Sequence, residues 1–245
     1  TLMNANNVWV SGSRIVKNCN CSRSLIRLWA VTKATIQNNY LYGQSGQSVS
    51  YGVEPFIASD SLIVNNIFQH IPAPMVINSN TGSVYAYNFT INNTYDDGNS
   101  PQYHWMIQSI LGHAAGTMYN LFEGNIANGA GGDAIHGNPV MNTAFRNYFT
   151  GRDVNRIDNT YPIMFEAYAR YWNIVGNVLG TYGYHNTYST ITGSPNTSIY
   201  NLGMGRGTIP NDSVLASTLM RWGNYDTVNA AVRWNTTEDG HTALT

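Results

Sequence analysis

The sequence predicts an all-β solenoid of about nine coils with an internal asparagine ladder, and three observations predict it. An asparagine recurs in a fixed frame, its spacing is quasi-regular, and the runs between are short and rich in β-branched and aromatic residues. Aligning the frame gives "RIVKNC", "TIQNNYLY", "LIVNNIF", "VYAYNFTI", "LFEGNIA", "AFRNYFT", "NIVGNVLG", "TSIYNLG" and "MRWGNYD". The recurring residues are Asn18, Asn39, Asn66, Asn88, Asn125, Asn147, Asn177, Asn201 and Asn224.

Successive spacings are 21, 27, 22, 37, 22, 30, 24 and 23 residues. A short period lengthened by insertions marks a solenoid. The residue three before each asparagine is mostly apolar (Ile15, Ile36, Ile63, Tyr85, Phe122, Ile174), and so is the one after it (Tyr40, Ile67, Phe89, Ile126, Tyr148, Val178). Both are read as stacked interior positions. The residue directly before is often Asn or Gly (Asn38, Asn65, Gly124, Gly176, Gly223), types that tolerate a left-handed bend. Each repeat is thus strand, two-residue corner, strand. An inward asparagine at the corner can hydrogen-bond the turns above and below it, satisfying backbone groups that water does not reach. No stripe of 3.6-residue period competes with this reading.

Composition limits the partners. The 245 residues carry 12 basic and 13 acidic side chains and a net charge of -1. This leaves no basic footprint for nucleic acid, and no apolar run reaches the ~20 residues of a membrane span. Polarity comes from Asn, Ser, Thr, Gly and 17 tyrosines, a balance that favours an uncharged polar partner and an extracellular or cell-surface setting. Cys19 and Cys21 share one strand face and are read as free thiols. The chain reads as one domain, residues 1–245, with the look of a processed chain or a fragment.

With the ladder in place, the chain resembles the right-handed parallel β-helix proteins of the pectate-lyase-like superfamily over about residues 7–230. The phrases "NLFEGN", "AFRNYFTGRD" and "LMRWGNYDTVNAAVRWN" resemble those of secreted bacterial members. The resemblance implies a single-stranded right-handed parallel β-helix directed at a polysaccharide, either glycan-binding or glycan-cleaving. It also implies sites on the insertion loops, here about 93–117 and 152–172, or on the strand face beside them. Lyases of this fold use Ca²⁺ held by carboxylates and an arginine that removes a proton. Asp133 and Asp153 are the nearest candidate carboxylates for Ca²⁺ or another divalent metal, and Arg146, Arg152 and Arg156 the candidates for the proton-abstracting arginine. The lyase signature RxPxxR is absent. "NTYDDG" and "LGHAAG" echo polygalacturonase motifs but break their order and spacing.

The residues themselves offer one column. His113 lies twelve before Asn125, His136 eleven before Asn147, and Glu166 eleven before Asn177. Equal turns would stack all three, as an acid and base for sugar chemistry or as metal ligands. The candidate catalytic set is His136 as acid or base, Glu166 or Asp133 orienting it, His113 beside it, and Arg146 or Arg152 neutralising an acidic sugar. An ion pair between Arg146 and Glu123 across coils is the competing reading. Candidate glycan contacts are Asp96, Asp97, His104 and Trp105 in the first insertion, and Tyr161, Tyr168, Tyr182 and Tyr184 in or after the second. "DDG" serves equally as a turn. Tyr161, Tyr182, Tyr184 and Tyr188 are read as exposed, Tyr148 and Trp172 as inward. A different class of function remains open, a structural surface or filament component whose coil ends stack end to end through unpaired edges.

Overall fold

The computed structural model describes residues 1–17, 23–43, 51–93, 108–154 and 156–238. The chain winds into about nine coils whose strands, among the described residues, stack as three sheets of nine, eight and nine. All pairings are parallel except that of the last strand, Ala231–Arg233, which runs antiparallel to Asn224–Asp226. The fold is a right-handed parallel β-helix. A typical coil runs Tyr51–Ser59 in the first sheet, Leu62–Val64 in the second and Ile67–Gln69 in the third. In the next coil Ala73–Thr81, Val84–Ala86 and Phe89–Ile91 pair with these in register. Among the described residues no helix is long and apolar enough to cross a membrane.

Seven asparagines form the ladder: Asn39, Asn66, Asn88, Asn125, Asn147, Asn177 and Asn224, all buried. Each side-chain oxygen accepts the backbone N–H and the amide of the preceding rung, as Asn147 does from Asn125 at 2.9 Å each. Each amide also donates to a carbonyl one coil back, Asn147 to Phe122 at 2.9 Å. The corner groups are thereby paired without water.

Two expected rungs differ. Asn18 lies outside the described residues, and Ser13 donates its backbone N–H to Asn39 at 3.0 Å at the start of the ladder. Asn201 sits in the first sheet, in the strand Ser198–Met204. The ladder passes directly from Asn177 to Asn224, so the two last short spacings are one coil of 47 residues with a large insertion. A second column at the corner between the first and second sheets was not read from the sequence. There Ser61 receives the N–H of Ala34, Ser83 that of Ser61, Asn120 that of Ser83 and Asn142 that of Asn120.

The predicted left-handed corner is present. Asn38, Asn65, Tyr87, Gly124, Arg146, Gly176 and Gly223 have φ between +53° and +66°. At Gly124 a β-carbon would lie 2.5 Å from the Tyr87 ring, so glycine leaves room for that ring as well as favouring the left-handed φ.

The residue three before each rung is interior: Ile36, Ile63, Tyr85, Phe122, Ala144 and Ile174 are fully buried. The residue after it is not. Ile67, Phe89, Ile126, Tyr148 and Val178 are exposed, and the next one along fills the core as Leu41, Phe68, Ala127, Phe149 and Leu179. Strand alternation explains the correction: the asparagine points in, so its neighbour points out. Tyr148 is thereby outside, whereas Trp172 is buried as expected and stacks on Phe122 at 5.7 Å. The spans expected as insertions also carry helix-forming strands, Ile110–Ala114 and Ile163–Glu166, both in the first sheet.

Candidate functional site

The outer face of the first sheet holds a cavity of about 230 Å³. Apolar walls come from Leu111, Met164, Ile135 and Met204, and polar groups from His113, Asp133, Glu166, Arg206, Gln108 and Asn159. Three of these lie on neighbouring strands of successive coils, Ile110–Ala114, Ala130–His136 and Ile163–Glu166.

A bulge sets the geometry. Gly112 pairs with Gly132, but Ala114 pairs with His136. One residue, His113, thus faces three on the next coil: Asp133, Ala134 and Ile135. The extra residues bend the strand, as bulges do beside sites. Asp133 is brought against His113, with a carboxylate oxygen 2.5 Å from Nδ1, and its other oxygen accepts the N–H of Ile135 at 3.2 Å. The carboxylate holds the Nδ1–H tautomer in the neutral ring, which makes Nε2 the basic atom. Both groups are largely shielded.

Glu166 is fully buried. It accepts the N–H of Ala134 at 2.8 Å and a bidentate pair from Arg206, Nε at 2.9 Å and one Nη at 2.5 Å. Arg206 is half-exposed. Its second Nη is not engaged by Glu166, and a planar fork of this kind suits carboxylate or hydroxyl recognition. Gln108 donates to the carbonyl of Asn159 at 3.2 Å, while its own buried carbonyl oxygen has no hydrogen-bond partner. A buried acceptor without a donor costs stability; Gln108 is among the residues that line the cavity, although this oxygen itself is closed off.

Two coils away on the same sheet, the buried Glu54 gathers Arg23 at 2.5 Å, Arg27 at 3.3 Å, Asn78 at 3.2 Å and the hydroxyl of Ser24. Arg27 packs over the rings of Trp29 and Phe56. Tyr51, which carries Arg23 over its ring at 4.7 Å, links this cluster to the cavity.

Of the residues singled out in the sequence, His113, Asp133 and Glu166 meet here. His136 does not complete the column. The bulge moves it to an exposed position where its ring stands edge-on to that of His113, centroids 4.8 Å apart, outside the cavity lining. Arg146 is at the corner of the second and third sheets, paired with Glu123, as the competing reading held. Arg152 lies over the ring of Tyr184 at 4.0 Å, and with Asp153 borders a shallow groove on the third sheet. Asp153 accepts the N–H of Asn93 at 2.7 Å, and Arg156 is buried. Neither shares a site with Asp133.

Tyr161, expected at the surface, is buried. Its hydroxyl donates to the Gly193 carbonyl at 2.5 Å, and burial pushes its pKa to about 12. Tyr184 and Tyr188 are half-buried. Tyr182 is exposed as expected. Tyr168 is also exposed, its N–H bound to Asp212 at 3.1 Å. None of these tyrosines lines the cavity. Asp96, Asp97, His104, Trp105, Cys19 and Cys21 lie outside the described residues. Among the described residues no group of three His, Cys, Asp or Glu side chains is placed to hold a metal ion. Asp133 and Asp153 in particular do not make a Ca²⁺ set.

Sequence reasoning missed Arg206, Gln108 and Asn159. Arg206 follows the strand mistaken for a ladder repeat, and the glycines on either side of it in "GMGRG" were the available signal.

No family model, curated protein or solved structure matches the chain. The fold and the stacked asparagines define the class of protein, a right-handed parallel β-helix with an internal asparagine ladder.

Proposed function

We propose that this is an extracellular, polysaccharide-directed protein of the pectate-lyase-like superfamily. It engages one sugar unit of a glycan in the cavity of the first sheet, and His113 transfers a proton in cleaving the chain. The observation that carries the proposal is the orientation of His113 by Asp133 at the wall of the cavity, beside the arginine fork that Glu166 holds. A volume of about 230 Å³ is small beside sites for drug-sized ligands (~300–1,000 Å³) and suits a single ring. The apolar walls would meet the C–H face of a sugar, while Asn159 and Arg206 would meet its polar rim.

In this reading Asp133 fixes the tautomer, and Nε2 of His113 takes a proton in one of two ways. It takes it from the ring carbon beside a uronate carboxylate, whose electron pair forms a double bond as the glycosidic oxygen leaves the next carbon, or from a water that attacks the anomeric carbon as the glycosidic C–O bond breaks. In both, the departing oxygen is protonated from solvent. Arg206, held by Glu166, faces a carboxylate or hydroxyl on the substrate. A bacterial source and cell-surface location belong to the same proposal.

The test is incubation of the purified protein with neutral and acidic polysaccharides, with and without Ca²⁺ and EDTA. Ultraviolet absorbance would report unsaturated products of elimination, and reducing ends would report hydrolysis. Products that vanish in His113→Ala support the proposal. Products retained in that variant would move the chemistry elsewhere. Retention on a polymer without products would leave a glycan-binding protein. Neither products nor retention, with particle mass rising with concentration in light scattering, would favour the structural role.

A further inference from the structure

A second surface, separate from the cavity, lies where the first sheet turns into the second. One residue per coil occupies this corner in left-handed conformation: Asn7, Lys33, Asp60 and Gly82, with φ from +52° to +68°. In the three following coils the residues are Tyr119, Met141 and Tyr171, at +57°, +56° and +63°. Bulky side chains are rare in this region. All three are exposed, Tyr119 at 64%. The backbone N–H of Tyr119 donates to the carbonyl of Met141 at 3.0 Å, so the corners are stacked.

Beside them run the outward residues Leu121, Thr143 and Asn173, which are register partners on adjacent strands. Together the six border an open cleft of about 480 Å³. The Asn173 amide donates to the Thr143 hydroxyl at 3.2 Å, leaving the amide oxygen of Asn173 to accept from a ligand. Apart from the tyrosines, none of the described residues bordering the cleft is ionisable. The neighbouring Arg170 is tied to Asp212 by two bonds of 2.8 and 2.7 Å.

We infer that this cleft binds an uncharged, β-linked glycan chain, with Tyr119 and Tyr171 as stacking platforms and Asn173 and Thr143 as the polar rim. The two rings are carried two coils apart, ~9.6 Å along the rod, close to the length of a disaccharide unit in an extended chain. Aromatic faces receive the C–H faces of sugars, amide and hydroxyl groups receive their hydroxyls, and a lining without charge matches a ligand without charge. The inference does not rest on the reaction assigned to His113, because it concerns other residues on another face.

The experiment is affinity electrophoresis of the full chain through native gels containing soluble hydroxyethyl cellulose, glucomannan or polygalacturonate. Retardation by at least one neutral polymer is expected. Tyr119→Gly and Tyr171→Gly should each weaken it at least tenfold. Glycine is the residue that left-handed φ favours, so these variants should keep or raise the wild-type Tm, which separates lost binding from lost folding. Wild-type retardation in both glycine variants, no retardation in either neutral polymer, or retardation by polygalacturonate alone would each overturn the inference.

Discussion

Nδ1 of His113 lies 2.5 Å from the carboxylate of Asp133, although the two residues belong to successive coils and are 20 positions apart. The contact exists because the second strand carries two more residues than the first between paired positions. It fixes which nitrogen of the imidazole is basic. Nitrogen NMR of the neutral ring should therefore show the Nδ1–H form in the wild type, shifting toward Nε2–H in Asp133→Asn. In any glycan-cleaving assay that substitution should lower the rate about a hundredfold or more. An unchanged tautomer and rate would remove Asp133 from the mechanism.

The asparagine ladder makes a prediction about stability. In Asn147→Ala the backbone N–H and side-chain amide of Asn125 lose their acceptor, and the Phe122 carbonyl loses its donor. Leaving such buried groups unpaired should cost about 3 kcal/mol. Urea denaturation with an unchanged slope would measure it, and a loss below about 1 kcal/mol would mean that water replaces the rung.

At the same corner, Gly124→Ala places a β-carbon in a left-handed residue, at φ +63° and against the Tyr87 ring. A destabilisation of about 1–2 kcal/mol is expected from the backbone alone. Measured against Tyr87→Gly alone, which removes a left-handed tyrosine by itself, the same Gly124→Ala change should cost less, because the steric clash has disappeared. An equal cost in both backgrounds would assign the whole of it to φ.

His185 predicts a dependence on pH. Burial lowers its pKa below the usual histidine value. Its Nδ1 accepts the N–H of Thr181 at 2.8 Å and its Nε2 donates to the Thr160 carbonyl at 2.9 Å, an arrangement that only the neutral ring satisfies. The folded-state pKa is depressed, so the unfolded chain binds the proton first. The contribution to stability is complete above about pH 6.5 and is lost as pH falls through the folded pKa. Melting temperatures of the wild type should decline below that pH, and His185→Gln should flatten the decline. Equal slopes in the two proteins would contradict this.

Much of the scaffold was legible because a solenoid repeats its physics. One asparagine frame, seen many times, identified the ladder, the left-handed corner and the inward residue three positions before it. The errors have local causes. The residue after the asparagine was read as interior because it is apolar in nearly every coil, yet Ile67 and Phe89 face outward by strand alternation. Asn201 fitted the frame and its spacing, but the strand around it pairs with Ile163–Glu166 in the first sheet.

The site was legible only in part. Counting from the ladder found His113 and Glu166, because both lie on strands whose distance from the next rung is nearly constant. It could not find the bulge that exchanges His136 for Asp133, since a change of register leaves no mark in a residue count. It could not find Arg206 either, which reaches Glu166 across 40 residues.

By itself, then, the sequence determined the coil: its asparagine frame, its left-handed corner and the interior position three residues before the asparagine, because these depend on repeated short-range geometry. Only the tertiary structure decided which ionisable groups meet. Their contacts arise between coils, where an extra residue in one strand or a long insertion changes the partner, and no local pattern encodes that displacement.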